Sequence, residues 1–233
     1  MIRNGQVTAL RDALRSQSRS QADLAAQGIL MASAVGSGQL GAVDVLLGWG
    51  MDLNQALPIA VDGESVNLTP LAIGIAAKAP LEVLDGLIRR GADVNGRSES
   101  EPPLHQAICS RQYTTANFLL DKGASPHAAD SKAKMTAPMQ IALCTQEVDG
   151  PASIELLKRL AARGANLNAT HARGGTALSF AVAAGRIELV RTLLELGANP
   201  NTRNDKGVSP LDFAQRKRRD DIATLLRQFG AKS

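Results

Sequence analysis

Aromatic side chains are almost missing from this sequence: four Phe, one Tyr and one Trp among 233 residues. A core built around large rings is therefore excluded, and Ala, Leu, Ile and Val must supply the packing from a hydrophobic fraction of 44%. Cysteine is equally scarce; two in so long a chain make no disulfide framework. No apolar run approaches the roughly 18 residues of a membrane-spanning helix, so no membrane partner is expected. Charged residues at 21% leave a globular composition rather than a disordered one. The net charge of +4 is unevenly placed, with a balance of −3 through Asp130 and +7 from Ser131 onward. Such polarity along the chain bears on the choice of partner rather than on the fold.

What is abundant is self-similarity. A glycine closing a short apolar stripe recurs at Gly50, Gly91, Gly123, Gly164, Gly197 and Gly230, with spacings of 41, 32, 41, 33 and 33. An Asn/Asp-rich stretch suited to a turn follows several of them, as in Gly91-Ala92-Asp93-Val94-Asn95 and Gly197-Ala198-Asn199-Pro200-Asn201. Ahead of them stands a second marker: Thr69-Pro70-Leu71, Pro103-Leu104-His105, Thr176-Ala177-Leu178 and Ser209-Pro210-Leu211, with Ala137-Pro138-Met139 as a weaker form. Thr or Ser before Pro reads as an N-cap with proline at the first helical position. Small residues follow (Ala107, Ala142, Ala181, Ala214), which let a short helix approach its neighbour. A break such as Gly185 comes next, then a stripe such as Ile187, Leu189, Val190, Leu193 and Leu194. Each unit predicts turn, helix, loop, helix, with the closing glycine left-handed.

This pattern resembles the ankyrin repeat, most closely between His171 and Asn201. The resemblance implies an all-α solenoid of stacked helix–loop–helix units with β-hairpin or turn fingers. It makes residues 1–233 a single ankyrin-repeat domain, with a capping helix or half repeat in 1–27. Six repeats follow in 28–231, the last a C-terminal cap. Gly5 to Leu14 reads as the second helix of the half repeat. Met1 would then fall near the end of that unit's first helix, so either a lone helix opens the chain or upstream sequence is missing.

Two spacings exceed the period. In the first, Asp62-Gly63 is a strong hairpin signal that pairs Val61 with Glu64, Ile59 with Val66 and Leu57 with Leu68. Leu57, Ile59, Val61, Val66 and Leu68 then share one apolar face, which either folds onto the adjacent repeat or serves as a lip for a partner. In the second, Gln146 to Pro151 reads as a polar loop with a Gly-Pro break.

No residues assemble into a catalytic, metal or cofactor site, so the expectation is a protein that is no enzyme. His105 fills a slot where the resemblance implies structural bracing; His127 and His171 fall in finger turns and are expected in solvent. Cys109 and Cys144 fall in the same slot of consecutive repeats. Adjacent helices pack about 8–10 Å apart, beyond the roughly 7 Å a disulfide spans, so free thiols and a reducing compartment are expected. The cluster Arg216-Lys217-Arg218-Arg219 reads as a polar outer cap rather than a nucleic-acid patch, since aromatic stacking platforms are lacking.

The resemblance implies a module that binds another protein through finger tips and first helices. Those slots hold Glu99, Glu101, Cys109 and Ser110; then Lys134, Thr136, Cys144 and Thr145; then Arg173; then Asp205, Lys206, Arg216 and Lys217. The gradient from acidic to basic predicts a partner with an acidic patch facing the C-terminal repeats. A narrower form of this role is an immunity protein or inhibitor that blocks a toxin or enzyme, as some bacterial ankyrin proteins do. A second class is a thiol-based sensor or enzyme using Cys109 or Cys144. A monomer is expected, cytoplasmic in the absence of a leader at Arg3, or periplasmic if a leader has been removed.

Overall fold

The computed structural model describes residues 4–15, 24–61, 64–99, 101–144 and 150–232. The elements run α1 (Asn4–Arg15), α2 (Leu24–Gly36), α3 (Leu40–Gly48), β1 (Leu57–Val61), β2 (Glu64–Leu68), α4 (Pro70–Ala76) and α5 (Leu81–Arg89). After these come α6 (Pro103–Cys109), α7 (Tyr113–Asp121), α8 (Ala137–Cys144), α9 (Gly150–Ala162), α10 (Ala177–Ala184), α11 (Ile187–Glu195), α12 (Pro210–Arg216) and α13 (Asp220–Gln228). They gather into two compact units. One reaches Gln106 and takes in Lys122–Ala124; the other comprises Ala107–Asp121 and the chain from Ser125 onward.

In the first unit α2 packs on α4, while α1, α3 and α5 stack in turn. In the second, α8, α10 and α12 form an inner row and α7, α9, α11 and α13 an outer one. Among the described residues, the buried apolar side chains are all Ala, Leu, Ile, Val, Met or Pro, as the shortage of aromatics requires. The helix signals work as expected. Thr69, Thr176 and Ser209 cap α4, α10 and α12, with proline at the first position of α4 and α12. All six closing glycines are left-handed, with φ from 83° to 101°, so each outer helix ends where its apolar stripe ends.

The finger asparagines do more than turn the chain. Asn54 donates to the Gly91 carbonyl (3.0 Å) and accepts from the Asp93 N–H (2.7 Å). Asn201 does the same to Gly230 (3.0 Å) and Lys232 (2.8 Å), and Asn168 to Gly197 (3.4 Å) and Asn199 (2.7 Å). Each ties the end of one outer helix to the end of the next, satisfying carbonyls that a helix end leaves open. At the same offset after Gly123 stands His127, whose ring lies beside Gly164. We expect His127→Asn to extend the ladder and raise the unfolding free energy by about 1 kcal/mol. A denaturant midpoint at or below that of the parent would show that the ladder does not reach this position.

The hairpin adopts the expected register, Leu57↔Leu68, Ile59↔Val66 and Val61↔Glu64; the turn at Asp62-Gly63 lies outside the described residues. Its apolar face turns toward α2, burying Leu57 and half-burying Ile59, Val66 and Leu68. Two expectations are corrected. The Gly150-Pro151 pair opens α9 instead of breaking a loop, and α9 is longer than its neighbours for that reason. Proline is tolerated there because first-turn N–H groups have no helical acceptor.

The second correction concerns α8. The Gln140 N–H bonds the Thr136 carbonyl (2.9 Å) as that of Phe180 bonds Thr176 (3.1 Å). The helix marker therefore starts at Thr136, one residue earlier than Ala137-Pro138-Met139 suggests, and Pro138 takes the second helical position. Ile141 rather than Ala142 then stands in the slot of Ala107, Ala181 and Ala214. Leu143 takes the slot of Cys109, Ala183 and Arg216, and Cys144 falls one position further on.

Candidate functional site

Five of the sequence-selected residues come together in the second unit. Arg173, Asp205, Lys206, Arg216 and Lys217 border one depression of about 550 Å³ between two finger turns and helices α10 and α12. Its position follows from local structure. The His171 N–H bonds the Gly175 carbonyl (2.9 Å), closing the first finger, and Asn204 Oδ1 accepts from the Lys206 and Val208 N–H groups (3.0 Å each), closing the second. The Asp205 N–H then donates to the Arg173 carbonyl (3.3 Å), which holds the two tips side by side. All five side chains are exposed.

The lining contains residues that sequence reasoning passed over. Phe180 and Phe213, both half-buried, line the depression from equivalent positions on α10 and α12. His171 is also half-buried rather than solvated. Its Nδ1 accepts the Gly175 N–H (2.9 Å), and its ring meets Phe180 edge-on with centroids 5.1 Å apart. That bond leaves the proton of the neutral imidazole on Nε2. Lys217 Nζ lies 5.9 Å from the centre of the Phe213 ring, within cation–π range. Phe180 and Phe213 lie 33 residues apart, one full period, and that was the signal available in the sequence.

The remaining candidates are dispersed. Val66, Glu99 and Glu101 border a smaller depression of about 150 Å³ in the first unit. There Glu99 accepts the Asn67 N–H (3.2 Å) and Ser98 Oγ accepts that of Thr69 (2.9 Å), so these side chains cover the edge of β2. Leu57 is 1% exposed and Thr136 9%, which places both in the frame of the protein rather than on its surface. Ile59 is half-buried, Ser110 and Lys134 are exposed, and Val61 closes β1. Thr145 lies outside the described residues.

Cys109 and Cys144 are not free thiols. They form a disulfide with Cα atoms 5.0 Å apart, and Gln140 Oε1 lies 3.3 Å from both sulfurs. Adjacent helices can be bridged because the roughly 8–10 Å spacing separates their axes, whereas Cα atoms sit about 2.3 Å off the axis. Facing Cα atoms of two adjacent helices therefore approach to roughly 3–5 Å, well inside disulfide range. The one-residue shift of α8 also means that the two cysteines do not share a slot.

Elsewhere the charged residues serve the frame. Asp44 accepts a paired hydrogen bond from Arg90 (2.6 and 2.9 Å), and this contact holds its carboxyl below the usual carboxylate range. Asp121 pairs with Arg159 (2.6 Å) and Arg163 (2.8 Å). No helix among the described residues is long and apolar enough to cross a membrane.

Comparisons with known proteins agree with this architecture. The family described as "Ankyrin repeats (3 copies)" matches residues 29–130 and 141–232. Curated proteins yield no match. An ankyrin repeat domain from Acinetobacter baumannii AYE is 24% identical with a TM-score of 0.68, covering 87% of this chain and 98% of its own. The human ASB11 ankyrin repeat domain is 24% identical with a TM-score of 0.63, covering 87% and 84%. The ankyrin repeat domain of Bcl-3, described as a member of the IkappaB protein family, is 23% identical with a TM-score of 0.71, covering 96% and 94%. These likenesses establish the fold, and the matched residues take in most of the sequence: the chain belongs to the ankyrin repeat family.

Proposed function

We propose that this protein is a non-catalytic binding module that holds another protein through its C-terminal repeats, and that the partner presents an acidic patch. Ankyrin repeats are in general protein–protein interaction modules, which supports the first part. The observation that carries the second is the convergence of Arg173, Lys206, Arg216 and Lys217 on one depression, with Asp205 the single acid on its border. Complementary charge speeds association and excludes like-charged competitors. The bonded state of Cys109 and Cys144 counts against the thiol-enzyme reading, because neither sulfur is a free nucleophile. It also favours an oxidising compartment, the periplasmic reading over the cytoplasmic one.

The test is a triple variant, Lys134→Glu, Arg173→Glu and Lys217→Glu. Exposed charges contribute a few tenths to about 1 kcal/mol each, so the triple reversal is expected to weaken binding roughly tenfold and to flatten its salt dependence. Unchanged affinity in the variant would sink the acidic-patch reading.

A further inference from the structure

The depression bordered by Arg173, Arg216 and Lys217 is more than a charged surface, and on the protein-binding reading its chemistry narrows the partner. Phe180 and Phe213 are two of only four phenylalanines in the chain, and both line this depression half-exposed. The buried hydrophobic core of the described residues contains no phenylalanine, so these two rings are not part of it. Two rings brought to one surface hollow form an apolar lining that contains no other large apolar side chain apart from Val208. The volume of about 550 Å³ falls in the usual range of ligand pockets, roughly 300–1,000 Å³.

We infer that the hollow takes a short acidic peptide segment of the partner. One large apolar side chain of that segment enters between Phe180 and Phe213, and flanking carboxylates meet Arg173, Arg216 and Lys217. Charge alone would attract any polyanion, and the rings are what select among them. An aromatic or aliphatic anchor desolvated against Phe180 and Phe213 adds apolar burial that a purely acidic surface lacks. Arg173 and Arg216 suit carboxylates through their planar two-pronged donors. His171, held by the Gly175 N–H at Nδ1, lines the same wall. A nucleic-acid strand fits less well: two phenylalanine rings in one hollow seat a single side chain and offer no row of stacking platforms for successive bases.

Fluorescence anisotropy with three probes tests this on the intact chain: a labelled peptide of Asp and Glu around one Phe, the same peptide with Ser in place of Phe, and labelled oligothymidylate. The Phe peptide is expected to bind at least about tenfold tighter than the Ser peptide. Phe213→Ala should abolish that preference while leaving the Ser peptide unaffected. Arg216→Glu with Lys217→Glu should weaken both peptides and reduce their salt dependence. Because Phe213 is partly buried, thermal melts accompany its variant, and Lys206→Glu, fully on the surface, provides a second reading of the charge effect. Equal binding of the two peptides overturns the anchor, and tighter binding of oligothymidylate overturns the peptide. A protein partner retained undiminished by the Phe213 and Arg216/Lys217 variants overturns this site while leaving the protein-binding reading intact. That wider reading falls only if the chain holds no protein at all.

Discussion

Replacing Cys109 and Cys144 together by serine lowers the unfolding free energy by about 3–4 kcal/mol, and reduction of the parent protein does the same. The bridge joins residues 35 apart in sequence, a loop length at which a cross-link removes that much freedom from the unfolded chain. The loss is large against a typical total of about 5–15 kcal/mol. It should concentrate on the segment from α6 to α8, since an array of repeats carries its stability in contacts between neighbours. A single Cys109→Ser change has the same consequence as the double one, because the constraint needs both sulfurs. Thiol titration in denaturant without reductant should find no reactive cysteine. Two titrating thiols, or a midpoint insensitive to reductant, would rule the bridge out.

That bridge also marks where the sequence stops being legible. Repeat period and helix ends were readable because they rest on local chemistry: a left-handed glycine after each of six outer stripes, a capping Thr or Ser before α4, α10 and α12, an Asp-Gly signal that fixes strand register. What was missed depends on contacts one repeat away. Thr136-Ala137-Pro138 offers proline at either of two helical positions, and only the bond from Gln140 to Thr136 shows which register α8 takes. With that register hidden, the cysteines read as equivalent, and nothing marked Leu143, which is 59% exposed, as a surface residue. His171 looked like a solvated turn residue because nothing nearby in sequence announces the edge of Phe180. The charged members of the candidate site were found from family slots, which describe surfaces. The rings were passed over because apolar residues on a short inner helix are assigned to the core by default.

The hairpin supplies the second large effect, at Gly28. This residue is buried within α2 and carries no positive φ, so its backbone would accept alanine without strain. In a helix interior such a change normally adds about 0.5–1 kcal/mol of stability. Here a methyl group would press on the Pro58 carbonyl oxygen and sit 3.0 Å from Ile59 Cδ1. The obstacle is the backbone of β1, which cannot turn aside as a flexible side chain would. Either α2 separates from the hairpin or β1 bends, and in both cases the seat of Leu57 opens. Overpacking of this kind costs about 1–3 kcal/mol, enough to reverse the gain from propensity. Gly36 is the internal control: it ends the same helix, and an added methyl there meets nothing within 4 Å. We therefore expect Gly28→Ala to lower the denaturant midpoint and expose the hairpin to protease, while Gly36→Ala holds or raises it. The same substitution eight residues apart should differ in sign, because in one place the glycine is a space for the strand and in the other it is only the end of a helix. If Gly28→Ala proves as stable as the parent, the hairpin does not rest on α2.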